Sequence, residues 1–370
     1  LLTCIPAMLL CYWCFGYGAW LCLALMLAAG IIAHHQKLSA LLAAGILLLP
    51  ATQYPATTWW SKPDLDREYV LSLDVEHYFG NIQKMRKHLE TDRQILWVTY
   101  YRNLYNATHP SEINSPVSLS RNLLAWNQPG TNGLILPVNP SASFLSILFA
   151  NELWFTLGDM TMAEHCAMLS MIFSPRNSGS RMIKRLAEIN LVNGDDEAAL
   201  KYLRILDKTL LHKSWAEKRI PGQQTPRVKE WLEKKRRDIP TQDHLRSGND
   251  AVTSLRNLVA SNAGNLRAYE YLLCYHLLSK DLRSFVEDYV PGKVSSSIFA
   301  EALLIHLARQ GNIRAEELIK YQIPVEIAKE FADYTRLYEA KDTSLKEKYG
   351  KTYWFYYHFA TTEPGKESKP

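Results

Sequence analysis

The distribution of charge constrains this chain more than any other feature. Of its 42 Lys and Arg and 37 Asp and Glu, only Lys37 falls within the first 61 positions. The other 78 share the remaining 309 residues, about a quarter of them, as in ordinary globular domains. A chain divided in this way has to meet two solvents. It is not the composition of a purely cytosolic enzyme, of a disordered chain or of a small disulfide-stapled secreted protein.

From Leu1 to Gln36 no side chain is formally charged. As one helix this stretch would reach about 50 Å, against a hydrocarbon core of about 30 Å, so a single span does not fit. Gly16, Tyr17 and Gly18 divide it into Leu1–Phe15 and Ala19–Ala33, and a third apolar run extends from Leu38 to Tyr54. His34, His35, Gln36 and Lys37 leave room only for a tight hairpin. The expectation is therefore three transmembrane helices over residues 1–60. The first is truncated, because it falls short of the roughly 20 residues a span needs and the chain starts with Leu rather than Met. No basic n-region precedes Leu1, which argues against a cleaved signal peptide. Lys37 places the hairpin on the cytoplasmic side and the polar part of the chain on the other. Tyr12, Trp13, Tyr17, Trp20, Trp59 and Trp60 then gather at one outer interface, as an aromatic belt would.

Residues 61–360 carry helical patterning. Apolar positions recur at three and four spacing in Tyr69–Phe79, Ile95–Tyr105, Phe144–Leu157, Ala163–Phe173, Met182–Leu191 and Ala198–Leu211. They continue in Leu255–Val259, Tyr269–Leu278, Ile298–Leu307 and Ala315–Tyr321, with no competing strand pattern. The turns between them repeat a chemistry. Gly158 and Asp159 lead to Ala163, and Gly194 and Asp195 lead to Ala199, each Ala five residues after its Gly. Gly ends one helix in a left-handed cap, Asp caps the next, and a small Ala lets the pair approach closely. Gly80 with Asn81, Lys280 with Asp281, and Gly311 with Asn312 are weaker copies.

The two Gly residues are 36 apart, and this spacing resembles the tetratricopeptide superfamily, whose helix pairs repeat about every 34 residues. The resemblance covers roughly 64–321, with uneven spacing and inserts near 107–140 and 212–249. The chain as a whole is similar to an uncharacterised bacterial family of multipass membrane proteins with a C-terminal helical-repeat half. The strings NQPGTNGLILPVNPSASFL, GDMTMAEHCAMLSMIFSPRNSGSRMIKRLAEINLVNGD and KTYWFYYHF carry that likeness. It supports this architecture and implies no known activity; the expected location is a bacterial inner membrane, with the repeat half in the periplasm on the strength of Lys37. The expected fold is all-α, transmembrane helices followed by a tetratricopeptide-like α-solenoid, with residues 361–370 a disordered tail.

Signatures of chemistry are absent. There is no GxxxxGK[ST] phosphate loop, GxGxxG turn, HExxH zinc helix or GxSxG elbow, and no catalytic residue, cofactor or metal ligand is assigned. Cys11 and Cys14 read as small core residues of a span, Cys166 and Cys274 as buried free thiols, and His34 and His35 as interfacial caps. The stretch Lys201–Arg246 holds thirteen Lys and Arg against six acids. Within it Lys234, Lys235, Arg236 and Arg237 are a candidate anion-binding patch, with a solvated helix face as the alternative. The stretch lacks interleaved stacking aromatics, so nucleic acid is not expected. The uncharged loop 122–143 presents Trp126, Asn127, Gln128, Asn132 and Asn139, a candidate partner-binding loop for a peptide or glycan, or else a packing loop between repeat blocks. The aromatic tail Tyr349–Phe359 is expected to cap the last repeat or to touch a membrane surface.

Two functions fit this reading. The first is a membrane-anchored scaffold presenting a helical-repeat surface to protein partners. The second is a lipid-linked glycan transferase whose catalytic part lies in spans before Leu1. That class calls for ionisable residues in or beside its spans, and the three visible runs contain no Asp, Glu, Lys or Arg.

Overall fold

A computed structural model describes residues 62–90, 96–109, 123–124, 134–135, 144–173, 179–242 and 250–360. Every regular element among them is helical, as the periodicity predicts. The chain divides into two units, 1–79 and 80–370. Of the first, helix α1 (Lys62–Phe79) is described. The three expected spans, the Cys11 and Cys14 pair, and His34 and His35 lie outside the described residues. Among the described residues no helix is long and apolar enough to cross a membrane.

The second unit opens with α2 (Ile82–Leu89) and α3 (Leu96–Thr108) and then runs as paired helices. Helix α4 (Phe144–Leu157) packs on α5 (Met160–Ile172), α5 on α6 (Ser180–Asn193), and α6 on α7 (Asp196–Asp207). Next come α8 (Lys213–Glu217) and α9 (Pro226–Arg236), which occupy the segment read from sequence as an insert. Helix α10 (Ala251–Ser261) packs on α11 (Leu266–Leu278), α11 on α12 (Leu282–Asp288), and α12 on α13 (Ser297–Arg309). The chain closes with α14 (Ala315–Lys320), α15 (Val325–Glu339), α16 (Leu345–Tyr349) and α17 (Tyr353–Phe359).

Gly158 and Gly194 both take left-handed φ, +89° and +83°, and in both turns the next residue's amide reaches back five residues, Asp159 to the Trp154 carbonyl and Asp195 to the Asn190 carbonyl, each at 2.9 Å. Each Asp then accepts from the amide three residues on, Met162 and Ala198, again at 2.9 Å. This is helix C-capping and N-capping in one three-residue unit. Ala163 and Ala199 are fully buried, as close helix approach requires. Of the weaker copies, Lys280–Asp281 keeps both halves without glycine, with Lys280 at φ +57°, the Asp281 amide on the His276 carbonyl and the Asp281 side chain accepting from the Ser284 amide. Gly311 (φ +65°) keeps the bend, its next amide bonding the Leu307 carbonyl, but the following helix has Arg314 at its N-cap, and Asn81 makes no side-chain capping bond.

The Ala198–Leu211 pattern stops early. The Thr209 hydroxyl donates to the Leu206 carbonyl at 2.7 Å and accepts from the His212 amide at 3.2 Å, a local turn that competes with the helix. Helix α7 therefore ends at Asp207, and Leu210 and Leu211 are left 97% and 85% exposed.

Helix α4 is predominantly apolar, and every side chain described in it is buried, Asn151 and Glu152 included. The aromatic tail forms α17 and packs on α13. Trp354 is fully buried and its indole N–H donates to the Glu301 carbonyl at 2.9 Å. The Tyr353 and Tyr356 hydroxyls donate to the carbonyls of Leu277 and Leu278, at the end of α11. The aromatic rings thus bury their bodies while their polar tips satisfy a helix end. Cys166 and Cys274 are buried thiols outside any disulfide, and burial pushes the Cys166 thiol up to about 12.

Candidate functional site

The C-terminal end of α4 is held by side chains from distant parts of the unit. An α-helix leaves its last four carbonyls without helical partners, and here all four are accounted for. The Trp154 carbonyl takes the Asp159 amide, and the Phe155 carbonyl takes the Lys235 ammonium at 3.5 Å. The Thr156 carbonyl takes Arg267 at 3.0 Å, and the Leu157 carbonyl takes the Asn265 amide side chain at 2.7 Å. Arg267 also holds the Ala107 carbonyl near the end of α3 and pairs with Asp238 at 3.1 Å. Asn265 bonds the Asp238 carbonyl at 2.8 Å while its own oxygen caps α11 at the Ala268 amide. The Asp238 backbone thereby lies so close to Gly158 that a Cβ there would overlap its carbonyl.

Beside this junction is a cluster of cations and rings. Glu152 is the one charged residue in α4, and it is buried beneath Arg181 and Arg185 of α6, at 3.0 and 2.6 Å. Arg185 also pairs with Glu188 at 3.1 Å and lies over the Phe155 ring, 3.8 Å from its centroid. Lys235 lies over the same ring at 4.6 Å, and Trp231 stacks on it. Burial, then repulsion from Arg267 and Arg185, pushes the Lys235 ammonium down to about 8. A second ring, Trp215, carries Arg219 at 4.0 Å and Lys184 at 5.0 Å. Burial lowers the pKa of both these cations.

The candidate anion patch is divided by this arrangement. Lys235 turns inward to α4, and the Arg236 guanidinium donates to the Leu191 and Val192 carbonyls at 2.7 and 3.0 Å, closing the end of α6. Lys234 and Arg237 are exposed. The four adjacent cations therefore do not present one common face, and two of them oppose the negative ends of helices. Of the candidate partner-binding loop, Trp126, Asn127, Gln128, Asn132 and Asn139 lie outside the described residues. The four residues described between them and their flanks, Leu123, Leu124, Leu134 and Ile135, are buried.

Sequence reasoning missed the Glu152 cluster. Its signal was available: a lone acid in an otherwise uncharged helix, and Arg181 and Arg185 four apart on the next hairpin, one helical face. Among the described residues no group of His, Cys, Asp or Glu is arranged to hold a metal ion.

Paired helices joined by glycine–aspartate turns, with a cation-and-aromatic junction at the end of a buried central helix, define an all-α protein built from helical hairpins. The chain belongs to DUF6057, a family of unknown function, whose model matches residues 38–360. No curated protein and no solved structure matches the chain.

Proposed function

We propose that this protein is a membrane-anchored scaffold whose hairpins stack as a tetratricopeptide-like solenoid and bind other proteins. The observation that carries this reading is the duplicated turn: Gly158–Asp159 and Gly194–Asp195 join successive antiparallel pairs with one geometry, the local rule from which solenoids are built. Such arrays bind through extended surfaces, and large apolar side chains are exposed on this one, Met168, Ile172 and Phe173 towards the end of α5 and Ile205 in α7. The anchor is the charge-free stretch before residue 62, and the family match begins at residue 38, inside its third apolar run. The rule that basic loops stay inside puts the hairpins in the periplasm of a bacterial cell, with the anchor in the inner membrane.

The test joins topology to capture. A single cysteine replacing exposed Thr343 is labelled with a membrane-impermeant thiol reagent in cells whose outer membrane has been made permeable, and bound proteins are crosslinked and identified. Labelling before lysis and a reproducible partner whose recovery falls on Ile172→Asp are the expected results. Labelling only after lysis overturns the orientation, and capture indifferent to Ile172→Asp overturns the scaffold.

A further inference from the structure

We propose that the corner between α7 and α8 docks on a lipid surface rich in anionic headgroups, with Leu210 and Leu211 entering the bilayer and the cations around them meeting the headgroups. At 97% and 85% exposure these two are the most exposed large apolar side chains among the described residues. A single exposed leucine is ordinary, but two whole adjacent leucine side chains left in water at one corner are not.

The first argument is that the corner is built to keep them there. Leu206 before it and Ala216 after it are buried in one cluster with Ala187 and Leu203, and Ile183, Tyr202 and Trp215 pack against that cluster. Thr209 fixes the bend between them: its hydroxyl bonds the Leu206 carbonyl and the His212 amide, and its carbonyl accepts from the Lys213 amide at 3.2 Å. A loose segment could fold its leucines back onto the protein, whereas this one is pinned on both sides and holds them outward. The corners at Gly194–Asp195, Lys280–Asp281 and Gly311–Asn312 carry glycine or polar residues in the corresponding place.

The second argument is charge. From Lys201 to Arg219 the chain carries Lys201, Arg204, Lys208, Lys213, Lys218 and Arg219 against Asp207 and Glu217. All of these cations except Arg219 are exposed. Lys201 pairs with Glu197 at 3.7 Å and Lys213 with Glu217 at 3.9 Å, but both pairs lie in solvent, where such contacts contribute little and yield to other anions. Cations within a Debye length of an anionic membrane surface are each drawn to it. An apolar tip among lysines is the chemistry of an interfacial contact, in which leucines reach the acyl boundary and ammonium groups stay with the headgroups. A protein partner would need an apolar socket rimmed by acids; a bilayer offers both layers and asks for no matching shape. The inference rests on the anchored reading for the nearness of a bilayer, and goes beyond it in assigning the surface that faces lipid.

The experiment photocrosslinks the full chain on vesicles of phosphatidylcholine and phosphatidylglycerol at about three to one, and on phosphatidylcholine alone. The photoreactive residue p-benzoylphenylalanine replaces Leu210 or, as a control, exposed Thr343, and adducts are identified by mass spectrometry. Phospholipid adducts at position 210 are expected to exceed those at 343 about fivefold or more, and to fall by a similar factor without phosphatidylglycerol or when Lys208→Gln and Lys213→Gln are combined. Lipid adducts no more frequent at 210 than at 343, adducts at 210 only to protein, or a yield indifferent to phosphatidylglycerol overturns the proposal. Retention on floated vesicles after an alkaline carbonate wash reports the anchor separately. A chain without an anchor still meets the vesicles from solution, so the two readings fail independently, and Leu210, Lys208 and Lys213 are exposed, so their replacement leaves the core intact.

Discussion

The turns at Gly158 and Gly194 are locally the same object and structurally different ones. Each has a left-handed glycine, a five-residue back-bond and an aspartate cap at 2.9 Å. At Gly194 nothing lies within 4 Å of where a Cβ would stand, whereas at Gly158 the Asp238 backbone fills that place. The comparison teaches that a repeated motif fixes the bend of the chain, and that its tertiary use depends on what crosses it. Substituting alanine separates the two contributions. Gly194→Ala meets only the backbone penalty and is expected to cost about 1 kcal/mol. Gly158→Ala meets the same penalty plus displacement of the 237–238 segment, and about 3 kcal/mol or more is expected. Equal losses in denaturant unfolding would break the comparison.

A smaller effect sharpens it from the other side of the contact. Asn265 holds the Leu157 and Asp238 carbonyls together over Gly158 and caps α11. Asn265→Ala leaves two carbonyls and one amide without their partner, and a loss of about 2 to 3 kcal/mol is expected. Combined with Gly158→Ala it should cost less than the sum, because both changes release the same segment.

The same contrast separates what was legible in the sequence from what was not. Both turns, the helices they join, the buried alanines and the inward packing of the aromatic tail follow from local spacing, and the structure has them. The start of α9 lies in a stretch that reads as a basic insert, because Pro226 and the run Lys234–Arg237 carry no apolar stripe strong enough to announce a docked helix. Its role is set by partners far along the chain: Lys235 meets Phe155 eighty residues away and Arg236 meets Val192 forty-four away. Periodicity reports only on neighbours within a turn or two, so cations that close distant helix ends look like any solvated run.

Helix α11, which begins at the Asn265 contact, carries a pH-dependent consequence. Glu270 is buried, and desolvation, partly offset by Arg267, pushes its carboxyl up to about 7. An unfolded Glu titrates near 4.3, so between about pH 4.3 and 7 the folded state holds the proton that the unfolded state has released. Stability from this group is therefore present at low pH and is lost as pH rises through 7. Glu270→Gln should remove that slope and raise stability at pH 8 by about 1 to 2 kcal/mol. Parallel pH profiles for the two proteins would show that the carboxylate is solvated and that the Asn265 end of α11 is looser than its burial implies.

The smallest effect comes from two turns that use lysine where the copies at 158 and 194 use glycine. Lys280 and Lys341 have φ of +57° and +52°, a conformation that strains a residue with a Cβ. Lys341 is exposed, and glycine in its place relieves the strain at the cost of a more flexible unfolded chain, for a net gain of about 0.5 kcal/mol. Lys280 differs because its ammonium donates to the Ala360 carbonyl and lies over the Tyr356 and Tyr357 rings, fastening α17 to the end of α11. Lys280→Gly relieves the same strain and gives up that fastening, so no gain is expected, and Tyr356 and Tyr357 should become more open to hydrogen exchange nearby. A gain at both positions would mean that the lysine at 280 is only a turn residue, and the distinction between the bend and what crosses it would fail at the C-terminal end of the chain.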